Sequence, residues 1–179
     1  MPNTKTSTVK TLLAETMRNL LYKKSFRKIS VNELCEIAAI SRSSFYANFQ
    51  DKYQLFSYCL NEGQGQLDFL MKSNSPRDFL EILLDFVQSE SKFFYHAFSE
   101  SYDEEITEIL YHFFADKFTE ILHEKVQEGE KISGPIEYVS AFYVGGLTSM
   151  ILRWIKSNYS VSKEELAVCQ YLLLKNLSA

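Results

Sequence analysis

The sequence predicts an all-α protein in which a small helical bundle is followed by a larger helical part. Apolar residues recur three or four positions apart over long segments, which is the spacing of one face of an α-helix. Only 6 Gly and 3 Pro occur among the 179 residues, so few positions favour a break. Serines typical of helix N-termini precede several of these segments, at Ser30, Ser41, Ser75 and Ser162. We place the boundary between the two parts at residue 62, which gives domains 1–62 and 63–179.

The first helix is predicted from about Thr8 to Lys23, because its apolar residues lie on one face. A short link follows, and Phe26 and Ile29 are expected to fill the core of a three-helix bundle. A fourth helix is expected after Asp51, whose carboxylate can accept hydrogen bonds from the N–H groups of the first turn.

Between these helices the sequence predicts two short helices joined by a tight turn. Ser30 and Glu33 have the spacing of a capping box, and Ser41 is the expected N-cap of the second short helix. That helix has Phe45 and Phe49 as its large apolar residues, so a single narrow stripe faces the core. Its other positions carry short polar, stacking or cationic side chains. This pattern is typical of a helix-turn-helix whose second helix enters the major groove of DNA.

The larger part contains further segments with helical spacing and an aromatic run. Their predicted extents are Pro76 through Val87, an aromatic run over 93–102, Asp103 to about Gly129, Ile136 to about Tyr159, and Ser162 through Leu177.

Charge is unevenly distributed along the chain. Residues 1–60 carry a net charge of +5, whereas residues 61–179 carry −9. A basic segment that coincides with a helix-turn-helix is what phosphate binding requires. The acidic part would repel DNA, so one end of the molecule is expected to contact it.

Residues 9–60 resemble the DNA-binding module of the TetR/AcrR family of bacterial transcriptional repressors. The matching residues are Val31, Leu34, Ala38, Ile40, Ser41, Arg42, Ser44, Phe45, Tyr46, Phe49, Lys52 and Leu55. The chain departs from the family pattern at Cys35, Ala39, Ser43, Ala47 and Asn48. Ala39 replaces the glycine of the turn, and if its φ is positive the alanine costs about 1 kcal/mol.

The resemblance implies a cytoplasmic, homodimeric regulator that most often acts as a repressor on a palindromic operator in double-stranded DNA. It also implies a helical ligand-sensing and dimerisation domain whose effector is a hydrophobic small molecule or a protein co-regulator. The rival interpretation is a helical protein–protein interaction module that uses the motif as a scaffold without binding DNA.

The candidate DNA contacts follow from side-chain chemistry. Arg42 can bind guanine with two hydrogen bonds, Asn48 can read adenine, and Ala47 can contact a thymine methyl. Tyr46 and Lys52 are expected to contact phosphates. The full candidate set is Ser30, Ser41, Arg42, Ser43, Ser44, Tyr46, Ala47, Asn48 and Lys52.

A run of small residues in the predicted helix Ile136–Tyr159 indicates close helix packing. Ala141, Gly145 and Ser149 are spaced four apart, with Gly146 beside them. Each glycine inside a helix costs about 1 kcal/mol relative to alanine, so a close approach should offset that cost. Packing inside one chain and packing between two copies both fit. We favour a dimer interface that also contains Leu166 and Leu173, since the family pairs its last two helices into a four-helix bundle.

The aromatic residues of the larger part have two interpretations. They form a large core, or they line a mainly apolar ligand cavity of the kind that the family resemblance implies. The candidate pocket residues are Phe94, Phe98, Tyr111, Phe114, Phe118, Tyr143 and Trp154.

No motif in the sequence indicates an enzyme, a metal site or a cofactor. Glu108, His112 and Asp116 share a helix face, which we interpret as an ordinary exposed face. The three cysteines are widely spaced and are expected to be free thiols in a reducing cytoplasm, with a structural role favoured over redox sensing. The polar N-terminus predicts no signal peptide, and no run approaches the ~18 apolar residues of a membrane span.

Overall fold

The computed structural model describes residues 4–62, 76–99 and 104–168 of the chain. In these ranges all regular structure is helical and no β-strand occurs, which confirms the predicted all-α class. The α-helices are α1 (Thr4–Leu21), α2 (Val31–Ile37), α3 (Arg42–Tyr46), α4 (Lys52–Glu62), α5 (Pro76–Ser89), α6 (Ser91–Phe98), α7 (Glu104–Gln127) and α8 (Ile136–Lys156). A 3₁₀ turn, Phe26–Lys28, lies between α1 and α2, and residues 163–168 begin a further helix.

The chain divides into two compact units. The first contains Met1–Gln64 together with Lys92–Ile109, and the second contains Gly65–Ser91 together with Leu110–Ala179. Helix α6 is therefore mostly part of the first unit, although it is distant from the helix-turn-helix in sequence. The functional boundary at residue 62 stays a prediction.

Phe56 lies at the centre of the aromatic core of the first unit. Its ring centroid is 5.3 Å from that of Phe26, 5.8 Å from Phe93 and 5.9 Å from Phe98. Phe26 and Ile29 are each 1% exposed, so the prediction that they fill the core is confirmed. Aromatic pairs at these separations add to the free energy gained from burial, and they join α4 to both the 26–28 turn and α6.

Two further contacts hold α6 against α1. The Arg18 guanidinium lies 5.2 Å from the centre of the Phe93 ring. His96 Nδ1 lies 2.7 Å from the carbonyl oxygen of Leu21, at the end of α1. Because the last carbonyls of a helix have no partner inside the helix, a side chain that reaches one stabilises that end.

The cysteines of the first unit are buried, as the structural interpretation expects. Cys35 is 6% exposed, and Cys59 is 2% exposed with its Sγ 3.4 Å from the carbonyl oxygen of Ala14. Burial raises the pKa of the Cys59 thiol to about 12, so the reactive thiolate form is scarce at neutral pH. Cys169 lies outside the described residues.

The second unit packs α7 against α8. The Phe118 and Tyr143 ring centroids are 5.8 Å apart. The hydroxyls of Thr119 and Ser140 form a 2.8 Å hydrogen bond, which satisfies both groups in a mostly apolar contact.

Helix α8 ends at Lys156, three residues before the predicted end. Asn158 and Tyr159 adopt positive φ, at 53° and 57°, and turn the chain away from the helix axis. The Tyr159 hydroxyl donates a 2.9 Å hydrogen bond to the Ser91 carbonyl, and burial raises its pKa. Trp154 Nε1 donates to the Val161 carbonyl at 2.7 Å.

The predicted cap of the last helix is confirmed. Ser162 Oγ accepts a 3.2 Å hydrogen bond from the Glu165 N–H, and the Glu165 carboxylate accepts from the Ser162 N–H at 3.0 Å. Within the described ranges, no helix combines the length and the apolar character needed to cross a bilayer.

Candidate DNA-binding interface

The turn between α2 and α3 has the geometry of a helix-turn-helix. Ala39 has φ 53°, so the position does require the left-handed conformation that the family pattern fills with glycine. The N–H of Ile40 donates to the Cys35 carbonyl at 2.9 Å and closes the turn. Ser41 Oγ then accepts a 3.1 Å hydrogen bond from the N–H of Ser44, which confirms Ser41 as the N-cap of α3.

The start of α2 is also capped as predicted, with one difference. Ser30 Oγ accepts a hydrogen bond from the Glu33 N–H at 3.2 Å. The Glu33 carboxylate, however, lies 2.5 and 2.6 Å from Lys24 Nζ. Glu33 thus links the start of α2 to the segment after α1. Of the predicted capping box, the structure shows the hydrogen bond to the Ser30 hydroxyl.

The two phenylalanines predicted to face the core are buried, although α3 ends at Tyr46 and Phe49 lies beyond it. Phe45 is 0% exposed and Phe49 is 3% exposed, with their ring centroids 6.0 Å apart. Lys10 of α1 places its ammonium 5.7 Å from the centre of the Phe49 ring. The remaining side of α3 is therefore available for a partner.

The exposed side of α3 carries most of the candidate DNA contacts. Ser41, Arg42, Ser43, Tyr46 and Ala47 are exposed, and Ser44 is half-buried. The Arg42 guanidinium lies 5.9 Å from the centre of the Tyr46 ring, which is 50% exposed. These short and planar groups can approach base edges and phosphates closely.

Besides the capping serines, the candidate contacts Asn48 and Lys52 also have partners within the chain. Asn48 Nδ2 donates a 2.8 Å hydrogen bond to the Ser44 carbonyl, as a residue that caps the end of α3 would. The ammonium of Lys52 lies 3.0 Å from each of two backbone carbonyl oxygens, those of Phe26 and Ile29. The geometry favours structural roles for both side chains, and their assignment as DNA contacts stays a prediction.

An open groove of about 480 Å³ is lined by α2, the turn and the first residue of α3. Its lining residues are Asn32, Cys35, Glu36, Ala39, Ile40 and Arg42. Asn32 is exposed and shares this groove with Arg42, and Arg27 and Lys28 are exposed just before Ser30. The motif pattern did not select Asn32, Arg27 or Lys28 as candidate DNA contacts. The sequence did show a polar residue in the first turn of α2 and two cations before it, which could have indicated them.

The other exposed surface with a distinct character lies on α8. Tyr138 is 77% exposed and Phe142 is 73% exposed. A Cβ atom built at Gly145 or at Gly146 would meet nothing within 4 Å in the described ranges. Among the remaining interface candidates, Ala141 and Ser149 are exposed, Leu166 is half-buried, and Leu173 lies outside the described residues.

The candidate pocket residues fall in both units. Phe94 and Phe98 lie in the first unit, where their rings stack at 6.3 Å. Phe114, Phe118 and Trp154 are buried in the second unit. Tyr111 and Tyr143 of that unit are half-buried, and burial raises the pKa of Tyr143.

Metal-binding chemistry has no assembled site in the ranges that the structure describes. No group of three or more His, Cys, Asp or Glu side chains there could hold a metal ion. His112 and Asp116 are exposed on α7.

The fold and the exposed motif define a helix-turn-helix, DNA-binding transcriptional regulator. The family model of bacterial regulatory proteins of the tetR family matches residues 13–59. A second model of that family, the C-terminal region of a transcriptional regulator, matches residues 74–176. The chain therefore belongs to the TetR family of transcriptional regulators.

Solved structures share this fold at low sequence identity. A TetR-family regulator from Syntrophomonas wolfei has a TM-score of 0.63 at 12% identity, covering 96% of this chain and 95% of its own. The fatty acid degradation regulator FadR from Bacillus halodurans has a TM-score of 0.60 at 14% identity, covering 92% and 93%. The dihydroxyacetone kinase operon activator DhaS has a TM-score of 0.52 at 18% identity, covering 90% and 95%. No curated protein matches the chain.

Proposed function

We propose that the protein is a cytoplasmic repressor that binds a palindromic operator as a homodimer and releases it when an apolar small molecule binds in the second unit. The exposed side of α3 supports DNA binding, because Arg42 and Tyr46 project from a helix whose other side is buried. The net charge of +5 over residues 1–60 supports the same surface, since phosphate neutralisation supplies much of the affinity for DNA.

The observation that carries the homodimer is the exposed apolar face of α8. Tyr138 and Phe142 are among the most exposed large apolar side chains, and aromatic side chains are enriched where proteins associate. Among the residues that the structure describes, no atom lies close enough to Gly145 or Gly146 to explain a missing side chain. A second α8 approaching these glycines would supply that reason. The resulting two-fold symmetry implies an operator with two inverted half-sites.

The buried aromatic residues of the second unit support an apolar effector. Phe114 and Phe118 provide apolar surface, and the Tyr143 hydroxyl provides a polar group that can orient a weakly polar ligand. Regulators with this fold include a regulator of fatty acid degradation and an operon activator. The sign of regulation therefore needs its own test, and repression is our proposal.

Selection of duplexes from a random pool tests the DNA-binding part. The wild-type protein should enrich a sequence with inverted repeats, and light scattering should give the mass of two chains at micromolar concentration. Enrichment of a single half-site by a monomer would contradict the homodimer. Failure to enrich any duplex, even at low salt, would favour the protein–protein interaction module instead.

A panel of hydrophobic compounds tests the effector on the selected duplex. At least one compound should raise the Kd for the duplex, and the same compound should raise the melting temperature of the free protein, because it binds the folded state. Reporter transcription in cells should then increase with that compound if the protein is a repressor, and a decrease would identify an activator.

A further inference from the structure

Lys52, the first residue of α4, contacts the segment that precedes the helix-turn-helix in the sequence. Its ammonium nitrogen lies 3.0 Å from the carbonyl oxygen of Phe26 and 3.0 Å from that of Ile29. The same nitrogen lies 4.4 Å from the centre of the Phe26 ring, within the range of a cation–π interaction. Lys52 therefore closes a loop of the chain that contains α2, the turn and α3.

The two carbonyl groups belong to the segment that leads into α2. Ile29 is 1% exposed and has an extended backbone, and Ser30, the N-cap of α2, follows it directly. A buried carbonyl needs a hydrogen-bond donor. A charged ammonium is a stronger donor than a neutral group, so Lys52 fixes the backbone immediately before α2 begins.

The start of α4 is held independently of these contacts. Asp51 Oδ1 accepts hydrogen bonds from the N–H of Tyr53 at 2.9 Å and from the N–H of Gln54 at 2.8 Å. Lys52 thus extends from a fixed helix end, and its ammonium can define the distance between that end and the 26–29 segment.

Helix α3 depends on the elements at its two ends. It spans five residues, Arg42–Tyr46, and a helix that short is not stable by itself. One end continues from α2 through the turn at Ala39, and the other continues into α4. A link between the start of α2 and the start of α4 therefore controls the orientation in which α3 presents Arg42.

We propose that Lys52 is a positioning residue of the DNA-binding surface, which orients α3 by holding the carbonyls of Phe26 and Ile29, and that it does not contribute a phosphate contact. This inference rests on the proposed DNA-binding function. It differs from the assignment that the motif alone suggests, in which Lys52 contacts a phosphate.

Two substitutions separate the two roles. Lys52→Met keeps most of the aliphatic stem and removes the charge and all the donors. Lys52→Arg keeps the positive charge but replaces a compact ammonium with a planar guanidinium, which cannot converge on two carbonyls in the same way. A positioning role predicts that both substitutions impair DNA binding, whereas a phosphate contact predicts that the arginine variant binds nearly as the wild type does.

The experiment uses a duplex that the wild-type protein selects from a random pool. The Kd is measured between about 50 and 200 mM salt, where each phosphate contact contributes about 0.9 to the slope of log K against log salt. Circular dichroism defines a temperature at which every variant is fully folded. Hydrogen exchange of the amides of residues 26–30 reports whether the segment before α2 has been released.

Both variants are expected to bind at least about 10-fold more weakly while fully folded, with a salt slope equal to that of the wild type. The amides of residues 26–30 should exchange faster in both. Arg27→Gln is the matched control, because it removes an exposed charge from the same segment without touching the two carbonyls. It should leave amide exchange unchanged.

Three outcomes would overturn the proposal. A slope lower by about 0.9 in Lys52→Met, with Lys52→Arg like the wild type, would assign Lys52 to a phosphate. Unchanged affinity in both folded variants would limit Lys52 to fold stability. Unchanged exchange of residues 26–30 would mean that the ammonium does not hold that segment. A wild-type protein that selects no duplex would instead contradict the proposed DNA-binding function itself.

Discussion

The first unit and the second unit expose helices of opposite character. Helix α3 buries Phe45 and exposes short polar side chains together with Arg42 and Tyr46. Helix α8 buries a mainly apolar side that includes Trp154, and it exposes the rings of Tyr138 and Phe142 near two glycines. Both helices have one buried side, so the difference lies in what the other side can contact. A polar, cationic side suits a phosphate polymer, whereas a flat apolar side suits a second protein surface.

The largest expected effect comes from a substitution in the aromatic core of the first unit. Phe56 is 0% exposed and has three aromatic neighbours in the first unit. Phe56→Ala should lower the free energy of unfolding by about 3 to 5 kcal/mol, since it leaves a cavity in a packed core. Denaturant unfolding measures this loss, and Glu81→Ala on the exposed face of α5 should change it by less than about 0.5 kcal/mol.

The matching substitution in the second unit is Phe114→Ala. Phe114 is 1% exposed, so a sealed core would give a loss as large as that of Phe56→Ala. A ligand cavity would give a clearly smaller loss together with altered operator release, because the truncated ring would enlarge an existing space. Equal losses at both positions, with no change in response to any compound, would contradict the cavity and leave a plain core.

The exposed face of α8 gives the next largest effect. Phe142→Glu and Gly145→Leu should each weaken dimerisation by at least about 2 kcal/mol, or roughly 30-fold, since one buries a charge and the other inserts bulk into a close contact. The monomer should stay folded, because Phe142 is 73% exposed and no described atom lies within 4 Å of a Cβ built at Gly145. Analytical ultracentrifugation measures the dimer dissociation constant.

Ser133→Glu is the control for this interface. It adds a carboxylate at an exposed position outside α8 and should leave the dissociation constant unchanged. A Phe142→Glu protein that dimerises as the wild type does would move the interface away from this face.

A substitution on the exposed face of α3 is expected to change the base preference of the protein. Arg42→Ala should remove about 1 to 3 kcal/mol of discrimination between the selected duplex and one changed at the contacted base pair. Competition binding with the two duplexes measures this difference. Lys23→Ala removes an exposed cation outside the candidate contact set and should retain the discrimination. If the loss is the same for both variants, Arg42 does not read a base.

The smallest expected effect lies in the turn before α3. Ala39→Gly should raise the free energy of unfolding by about 1 kcal/mol, because φ is 53° at this position and glycine adopts that conformation without strain. Ala38→Gly is the matched control. Its φ is −76°, so glycine there should destabilise the protein by about 0.5 to 1 kcal/mol. An Ala39→Gly variant that is less stable than the wild type would contradict the strain argument.

Features set by neighbouring residues could be predicted from the sequence. The caps at Ser41 and Ser162 and the buried pair Phe45 and Phe49 each depend on residues a few positions apart. Local chemistry determines such features, so a single sequence contains enough information.

Features that depend on distant contacts could not be predicted. Lys52 reaches carbonyls 23 and 26 residues away, and α6 docks on Phe56 from more than 30 positions along the chain. Asn48 and Lys52 were predicted to contact DNA from their side-chain chemistry, and the structure gives each of them a backbone partner within the chain. A motif records which side chains are present, and it cannot record which backbone atoms the fold brings to them.

The aromatic contacts of Phe56 limit how the chain can be divided. Phe93 and Phe98 belong to the first unit although they lie about 30 residues beyond α4. A fragment ending near residue 64 would leave one side of the Phe56 ring in water and would invite aggregation. The DNA-binding part therefore cannot be expected to fold correctly as a fragment that ends near residue 64. A gene fusion that joins this DNA-binding part to another sensor domain would also have to include residues 92–109. This discontinuous segment therefore constrains how the domains can be exchanged between regulators.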